Sequence, residues 1–462
     1  MKTTENETAT VAAESVEKPT ARKMKTDVKP NGRIIGISHR VKQKKDQEPR
    51  PTLVAVMDRD TRSVQSFKLE TEQEEIDFLL GQCPIKWRDV KPDEDISAIP
   101  EHQVVFRDPV EGEKVFGRHA SQCVFHTPVN GKIEPKLIKV AKQVPSAWIG
   151  IETGDTVAMT LGGSGDYFAY ALSRKLEDMH GRVVRISPFK LKDHRGEGSK
   201  DSDPALLAQV ALEHPSEFYD TYVRDRGIIR LRIAYRNWME TMKARMGCEQ
   251  RLGQHAIGIA FCNEEGKFPE GSLEKAAAEL KASDPILQAL LTEEAKALKK
   301  LEKSVYDLDV WDKVFEPIPG IGPRIAARLV NAIIDIRRFK KSSQLVAFLG
   351  VHVLKDGKFA RRRKDQISNW HPDGRQALYL VADQFNRQAK RDTRWGNYLI
   401  KMKAELRKRH PVVENGDNGK KRYTDGHIHK MAIWRTLTRF AEFLHREWWK
   451  LEKSAAQAGS KE

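Results

Sequence analysis

The chain has 462 residues and a formal net charge of +16, from 81 Lys and Arg against 65 Asp and Glu, with a pI near 9.5. That length holds about two or three domains, and a cationic excess spread among abundant acids points to nucleic acid or, less often, an anionic membrane surface. No apolar run reaches the roughly 18 residues of a membrane span; the polar N-terminus is unlike a secretory leader; and four cysteines without CxxC spacing argue against a zinc module or disulfide framework.

Residues 1–48 are polar, with few large apolar side chains, and read as a disordered arm that turns basic at Lys42, Lys44 and Lys45. Residues 49–217 read as an α/β domain. Thr52 to Asp58 is a buried-strand pattern ending in an acid, Ser63 to Leu69 alternates and closes a hairpin, and Glu72 to Leu80 is helical. Residues 83–134 are irregular and stand out as an insertion. The spacing predicts a helix from Pro135 to Val144, a strand from Ala147 to Glu152, a helix from Asp166 to Met179, a strand from Arg182 to Ile186 and a helix from Pro204 to Leu212.

Residues 218–306 read as a long helical, coiled-coil-like hairpin: Phe218 to Leu252, Leu273 to Leu280 and Pro285 to Val305. Residues 307–452 read as an all-α domain, with helices at Ser342 to Leu349, Gly374 to Arg391, Trp395 to Arg409 and His427 to Leu451, and residues 453–462 as a disordered tail. The fold class expected is therefore α/β plus α.

Three features carry chemistry. Ile318-Pro319-Gly320-Ile321-Gly322-Pro323-Arg324 sits between helical patterns, and glycine admits the positive φ of a tight turn. Amides of such a turn, opening onto a helix N-terminus, can hold a phosphate, and Arg324 and Arg328 lie one helical turn apart. This looks like a helix-hairpin-helix, which grips nucleic-acid backbone without reading sequence; an ordinary bundle turn has the same pattern. Lys358, Arg361, Arg362, Arg363 and Lys364 form a basic loop suited to phosphates. Asp58 and Glu152 each close a predicted strand, where open α/β sheets place ligands, and Asp201 and Asp203 open a predicted helix. Together they match a Mg²⁺ site for a phosphodiester substrate; singly, Asp58 serves as a turn residue and Asp203 as a helix cap.

The order of these features resembles the insertion-sequence transposases with an N-terminal RuvC-like (RNase H-like) DEDD nuclease domain and a C-terminal helical transposase domain, the bridge-RNA-guided recombinases. The resemblance runs from about Leu53 to Trp448. It rests on Ile151-Glu152-Thr153-Gly154, on Lys200-Asp201-Ser202-Asp203-Pro204-Ala205-Leu206-Leu207-Ala208, on the Pro319 to Pro323 turn followed by Ile325-Ala326-Ala327 and Arg337-Arg338-Phe339, and on Leu345-Val346-Ala347-Phe348-Leu349-Gly350. It implies Asp58, Glu152, Asp201 and Asp203 as catalytic Mg²⁺ ligands, DNA and a structured guide RNA as partners, a dimer or tetramer, no membrane, and a nucleoid-associated place in a prokaryotic cytoplasm. Two departures stand out. The family spaces its last two acids three apart, whereas Asp201 and Asp203 are two apart. Where the family carries a nucleophilic Ser-Gly pair this chain has Lys355-Asp356-Gly357, and Ser368 is the nearest downstream hydroxyl, with a helix cap as its other reading. The function implied is a DNA transposase or recombinase; a catalytically impaired nucleic-acid-binding relative and a structure-selective nuclease are the alternatives.

Overall fold

The computed structural model describes residues 32–41, 48–111, 113, 117–126, 136–262, 264–266, 272–354, 359–361, 370–413 and 422–460. The N-terminal half is built on a six-stranded mixed sheet. Its central strand, Arg33–Ser38 (β1), lies inside the stretch expected to be a disordered arm. Thr52–Asp58 (β2) and Val64–Leu69 (β3) follow as an antiparallel meander. After Glu72–Leu80 (α1), the chain leaves this sheet for a smaller one. There Cys83–Asp89 (β4), Val105–Arg107 (β5) and Cys123–His126 (β6) all pair with the long strand Lys136–Ile149 (β7). The helix expected over 135–144 is thus a strand where it is described.

The chain returns through Gly150 to Asp155 into Thr156–Thr160 (β8), which runs parallel to β1. Asp166–Asp178 (α2) leads to Arg182–Ile186 (β9), parallel to β8. Pro188–Arg195 (α3) and Asp203–Glu213 (α4) precede Tyr219–Asp220 (β10), which pairs antiparallel with β9. The sheet order is β10-β9-β8-β1-β2-β3. Successive strand residues face opposite sides, so each face gathers its own core. Ile35, Ile37, Val157, Met159 and Val183 pack with Phe78, Leu172 and Leu176 of α1 and α2. Ala158, Val184 and Ile186 pack with Leu191, Leu207 and Val210 of α3 and α4. A Cβ on Gly36 would fall 1.8 Å from the Pro204 carbonyl oxygen, so only glycine lets the start of α4 lie on β1.

The second half is helical. Val223–Phe261 (α5) pairs with Pro285–Tyr306 (α7), with Leu273–Ser283 (α6) between them in sequence. Then come Pro323–Ile333 (α8), Ser342–Phe348 (α9), Pro372–Arg387 (α10), Arg394–Arg409 (α11) and Asp425–Ser460 (α12). Leu231, Tyr235 and Trp238 of α5 and Leu301 and Val305 of α7 share one core with Phe315, Leu329, Val381, Phe385, Phe440 and Trp448. The base of the hairpin is therefore part of the helical core and not a separate module.

Ion pairs join the halves along α5. Arg226 donates to Ser173 Oγ and to Glu177, and Arg232 reaches Asp166, which also takes Arg185 from β9. Asp166 is 5% exposed and is shared by both guanidiniums, so one positive charge remains over in a place closed to water. Burial works to lower the pKa of Arg232, which is net depressed although Asp166 opposes the shift.

Candidate nucleic-acid interface

The glycine turn forms between two helical segments, as its spacing predicts. Before it, Trp311 to Phe315 closes a widened turn, with the Glu316 amide donating to the Trp311 carbonyl at 2.9 Å. Ile318 and Ile321 point into the core and pin the turn from inside. Gly320 takes φ +90°, and Gly322 caps α8 ahead of Pro323 at its first position. Among the described residues, the amides of Gly320, Gly322 and Arg324 donate to no backbone carbonyl, which leaves them for an acceptor outside the chain. Arg324 is exposed beside them. Arg328 is not equivalent to it: its guanidinium lies 5.5 Å from the ring centre of Trp238 and 3.7 Å from Met239 Sδ, tying α8 to α5.

A Cβ on Gly320 would meet Gln384 and Gln388 at 3.2 Å, so the end of α10 lies against the turn. Arg387, the last residue of α10, and Lys390, Arg391 and Arg394 just beyond it are exposed and extend the cationic surface. Sequence reasoning passed over this cluster, although the run Lys390-Arg391-Asp392-Thr393-Arg394 carried its signal. Of the predicted basic loop, Arg361 is exposed; Lys358, Arg362, Arg363, Lys364 and Ser368 lie outside the described residues. Next to that loop, Arg375 stacks between Trp370 and Trp434, 4.2 and 4.7 Å from their ring centres, and donates to the Ala360 carbonyl at 2.9 Å.

The four acids do not come together. Asp58 stands opposite Arg33, at the end of β1 where the strand begins. Its carboxylate accepts from the amides of Asp60 and Thr61 at 3.1 and 2.7 Å and from the Thr61 hydroxyl at 2.9 Å. Those Thr61 bonds, amide first, hold its pKa below the ordinary value. Glu152 does not end a strand of this sheet; it lies in the connection before β8 and pairs with Arg33. Both acids therefore sit at the end of the sheet opposite the carboxyl ends of β1, β8 and β9.

Asp201 and Asp203 sit at the other end. Asp203 accepts from Arg195 Nε at 2.7 Å, and Asp201 lies 3.5 Å from Arg50. Five residues of β1, about 17 Å at 3.4 Å each, separate the level of Asp58 from that of Ser38. A bridged metal pair needs ions about 4 Å apart. Among the described residues no group of three or more His, Cys, Asp or Glu side chains is placed to hold a metal ion. The acid set does not fit Mg²⁺. The physical cause is β2: it runs antiparallel to β1, so a carboxylate at its end points away from the ligand-binding edge of the parallel strands.

Among the described residues, no helix is long and apolar enough to cross a membrane. No curated protein matches the chain. Residues 312–396, which hold the Gly320 turn, α8, α9, α10 and the exposed cluster 387–394, match the family described as Transposase IS116/IS110/IS902, and this supports an insertion-sequence transposase.

Proposed function

We propose that the chain is a DNA transposase or recombinase of a mobile insertion sequence that grips duplex backbone through its helical half. The observation that carries this is the turn at Gly320 to Arg324, with amides that have no backbone partner and an exposed arginine, inside the segment that matches the transposase family. Amides at a helix start donate to phosphate oxygens, and the flanking arginines and lysines replace condensed counterions. Contacts of this kind position DNA and read no bases. No step is assigned to a divalent cation, because the four acids lie at opposite ends of the sheet.

A structured RNA offers the same phosphates, and the resemblance to bridge-RNA-guided recombinases makes it the second partner to test. Exchange of strands between two duplexes calls for a dimer or tetramer. The deciding experiment has two stages. Binding of duplex DNA and of structured RNA to the full chain is followed across a salt series, and strand cleavage or exchange is then scored on supercoiled plasmid. Salt-dependent DNA binding with strand exchange supports the proposal. Binding without exchange identifies a non-catalytic relative, which Lys355-Asp356-Gly357 in place of a Ser-Gly pair favours. Absence of DNA binding removes the proposal altogether.

A further inference from the structure

The carboxyl ends of β1 and β8 lie side by side, with Ile37 level with Met159, so the segments after them leave the sheet together. His39 follows β1, and Ser164 sits in the glycine-rich turn between β8 and α2. His39 Nδ1 is 3.0 Å from Ser164 Oγ, and His39 Nε2 is 3.3 Å from Glu75 Oε1. The same carboxylate oxygen accepts from the Thr52 hydroxyl at 2.6 Å and from Arg40 Nε at 3.0 Å. Burial works to raise the pKa of Glu75, but the hydrogen bonds from His39, Thr52 and Arg40 outweigh it and the net shift is downward. With the imidazole proton on Nε2, facing the Glu75 carboxylate, Nδ1 is in place to accept from Ser164.

We propose that Ser164, His39 and Glu75 form a nucleophilic relay at the ligand-binding edge of the sheet, with a DNA phosphodiester as its substrate. Ser164 is exposed, while the His39 and Glu75 side chains are 13% and 9% exposed, so the serine is open to solvent and its base is fixed behind it. The hydroxyl proton now has two acceptors, the Arg40 carbonyl at 2.9 Å and His39, and rotation about one bond moves it between them. Gly165 makes room for the histidine: a Cβ there would be 3.0 Å from His39 Cβ. Gly162 and Gly163 take φ +84° and +86°, and among the described residues the amides from Gly162 to Gly165 donate to no backbone carbonyl. They open onto the start of α2, where an anion is favoured. Asp166, the one acid in that first turn, is neutralised by Arg185 and Arg232. These surroundings select a phosphate ester over a neutral acyl group.

In the step, Ser164 Oγ bonds to phosphorus as the bond from phosphorus to the departing deoxyribose oxygen breaks. His39 takes the serine proton and delivers it to that oxygen. Attack by an incoming sugar hydroxyl reverses the sequence and rejoins a strand, with no co-reactant. Glu75 is a positioning residue. The substrate class rests on the DNA proposal above; the reactivity of Ser164 does not.

The test treats the full chain with a fluorophosphonate and maps the adduct by mass spectrometry. A modified Ser164, labelled about 100-fold more slowly in His39→Ala, supports the relay. So does loss of labelling in Glu75→Ala with partial recovery in Glu75→Asp. No label on Ser164, or equal labelling of the wild type and a His39→Ala chain with native circular dichroism, overturns it. Where His39→Ala does not fold, Ser164→Ala on the exposed turn decides: with EDTA present and DNA duplexes carrying a 5′-bridging or a 3′-bridging phosphorothiolate, the wild type must form a covalent adduct on Ser164 with one of them that Ser164→Ala loses while still binding the duplex. An adduct on another residue overturns the assignment and leaves the DNA proposal standing. Labelling of Ser164 without any DNA binding has the opposite result.

Discussion

Asp58 faces Arg33 across the β1–β2 ladder, at the end of the sheet away from Ser38. Its carboxylate is spent on the Arg59 to Ser63 turn, and Glu152 is spent on Arg33. Loss of a ligand from a working metal pair would stop phosphoryl transfer. For Asp58→Ala and Glu152→Ala we expect strand cleavage or exchange on plasmid to stay within about twofold of the wild type, as for surface substitutions. A loss of activity by orders of magnitude in either variant, with native circular dichroism, would restore these acids to the chemistry.

Arg324 and Arg328 should separate cleanly. Arg324→Ala removes the exposed guanidinium proposed to contact phosphate, so DNA affinity should fall equally for all sequences and the salt slope drop by about 1. Arg328→Ala removes the guanidinium over Trp238 and costs about 1 kcal/mol of stability, with the salt slope unchanged. Anisotropy across a salt series and denaturant unfolding measure the two; interchanged results would place the DNA on the α5 side of α8.

Gly36→Ala is the strongest test of the α/β architecture. The new methyl would overlap the Pro204 carbonyl, and backbone cannot swing aside as a side chain can. We expect a loss of about 3 kcal/mol or more, read as a lower denaturant midpoint. A midpoint unchanged from the wild type would mean that α4 does not start on β1.

His371 caps α10 by accepting from the Gly374 amide at 3.2 Å, and burial lowers its pKa. A depressed folded-state pKa means that its stabilisation is present above the unfolded value, about 6.5, and is lost as pH falls through the lower folded value. His371→Asn keeps a capping side chain without the titration. Thermal melts at pH 8 and pH 5 should therefore show a smaller drop for the variant than for the wild type. Equal drops would remove His371 from the acid response.

Strong local periodicity made much of the fold readable. The helix Glu72–Leu80 was delimited in full because Thr71 caps it and Gly81 ends it at φ +76°. The turn at Gly320 was readable for the same reason, two glycines between apolar helical stripes. Most strands were not, and three of them matter here. Leu137, Val140, Ala141 and Val144 fall at i, i+3, i+4 and i+7, the mark of a helix, yet they belong to β7, where register shifts against β4, β5 and β6 break the two-residue alternation. Strand β8, Thr-Val-Ala-Met-Thr, is covered on both faces and has no alternation to find. Strand β1 hid at the end of a polar stretch. Missing these two strands moved the expected ligand edge to the wrong end of the sheet, so the acids were chosen correctly as strand ends only for β2. His39, Ser164 and Glu75 lie 125 residues apart at most and carry no local pattern.

Helix α5 has 39 residues, about 58 Å at 1.5 Å per residue, and both halves are fastened near its beginning. Glu177 and Asp166 hold it through Arg226 and Arg232, and Arg328 stacks on Trp238 two turns later. It thus works as a common axle. Each residue inserted between Arg232 and Trp238 would turn the part of α5 that carries Trp238 by about 100° against the part that carries Arg226 and Arg232, as a slipped tooth mistimes a gear. Substitutions along this stretch should be tolerated far better than single insertions, because what it stores is a phase angle.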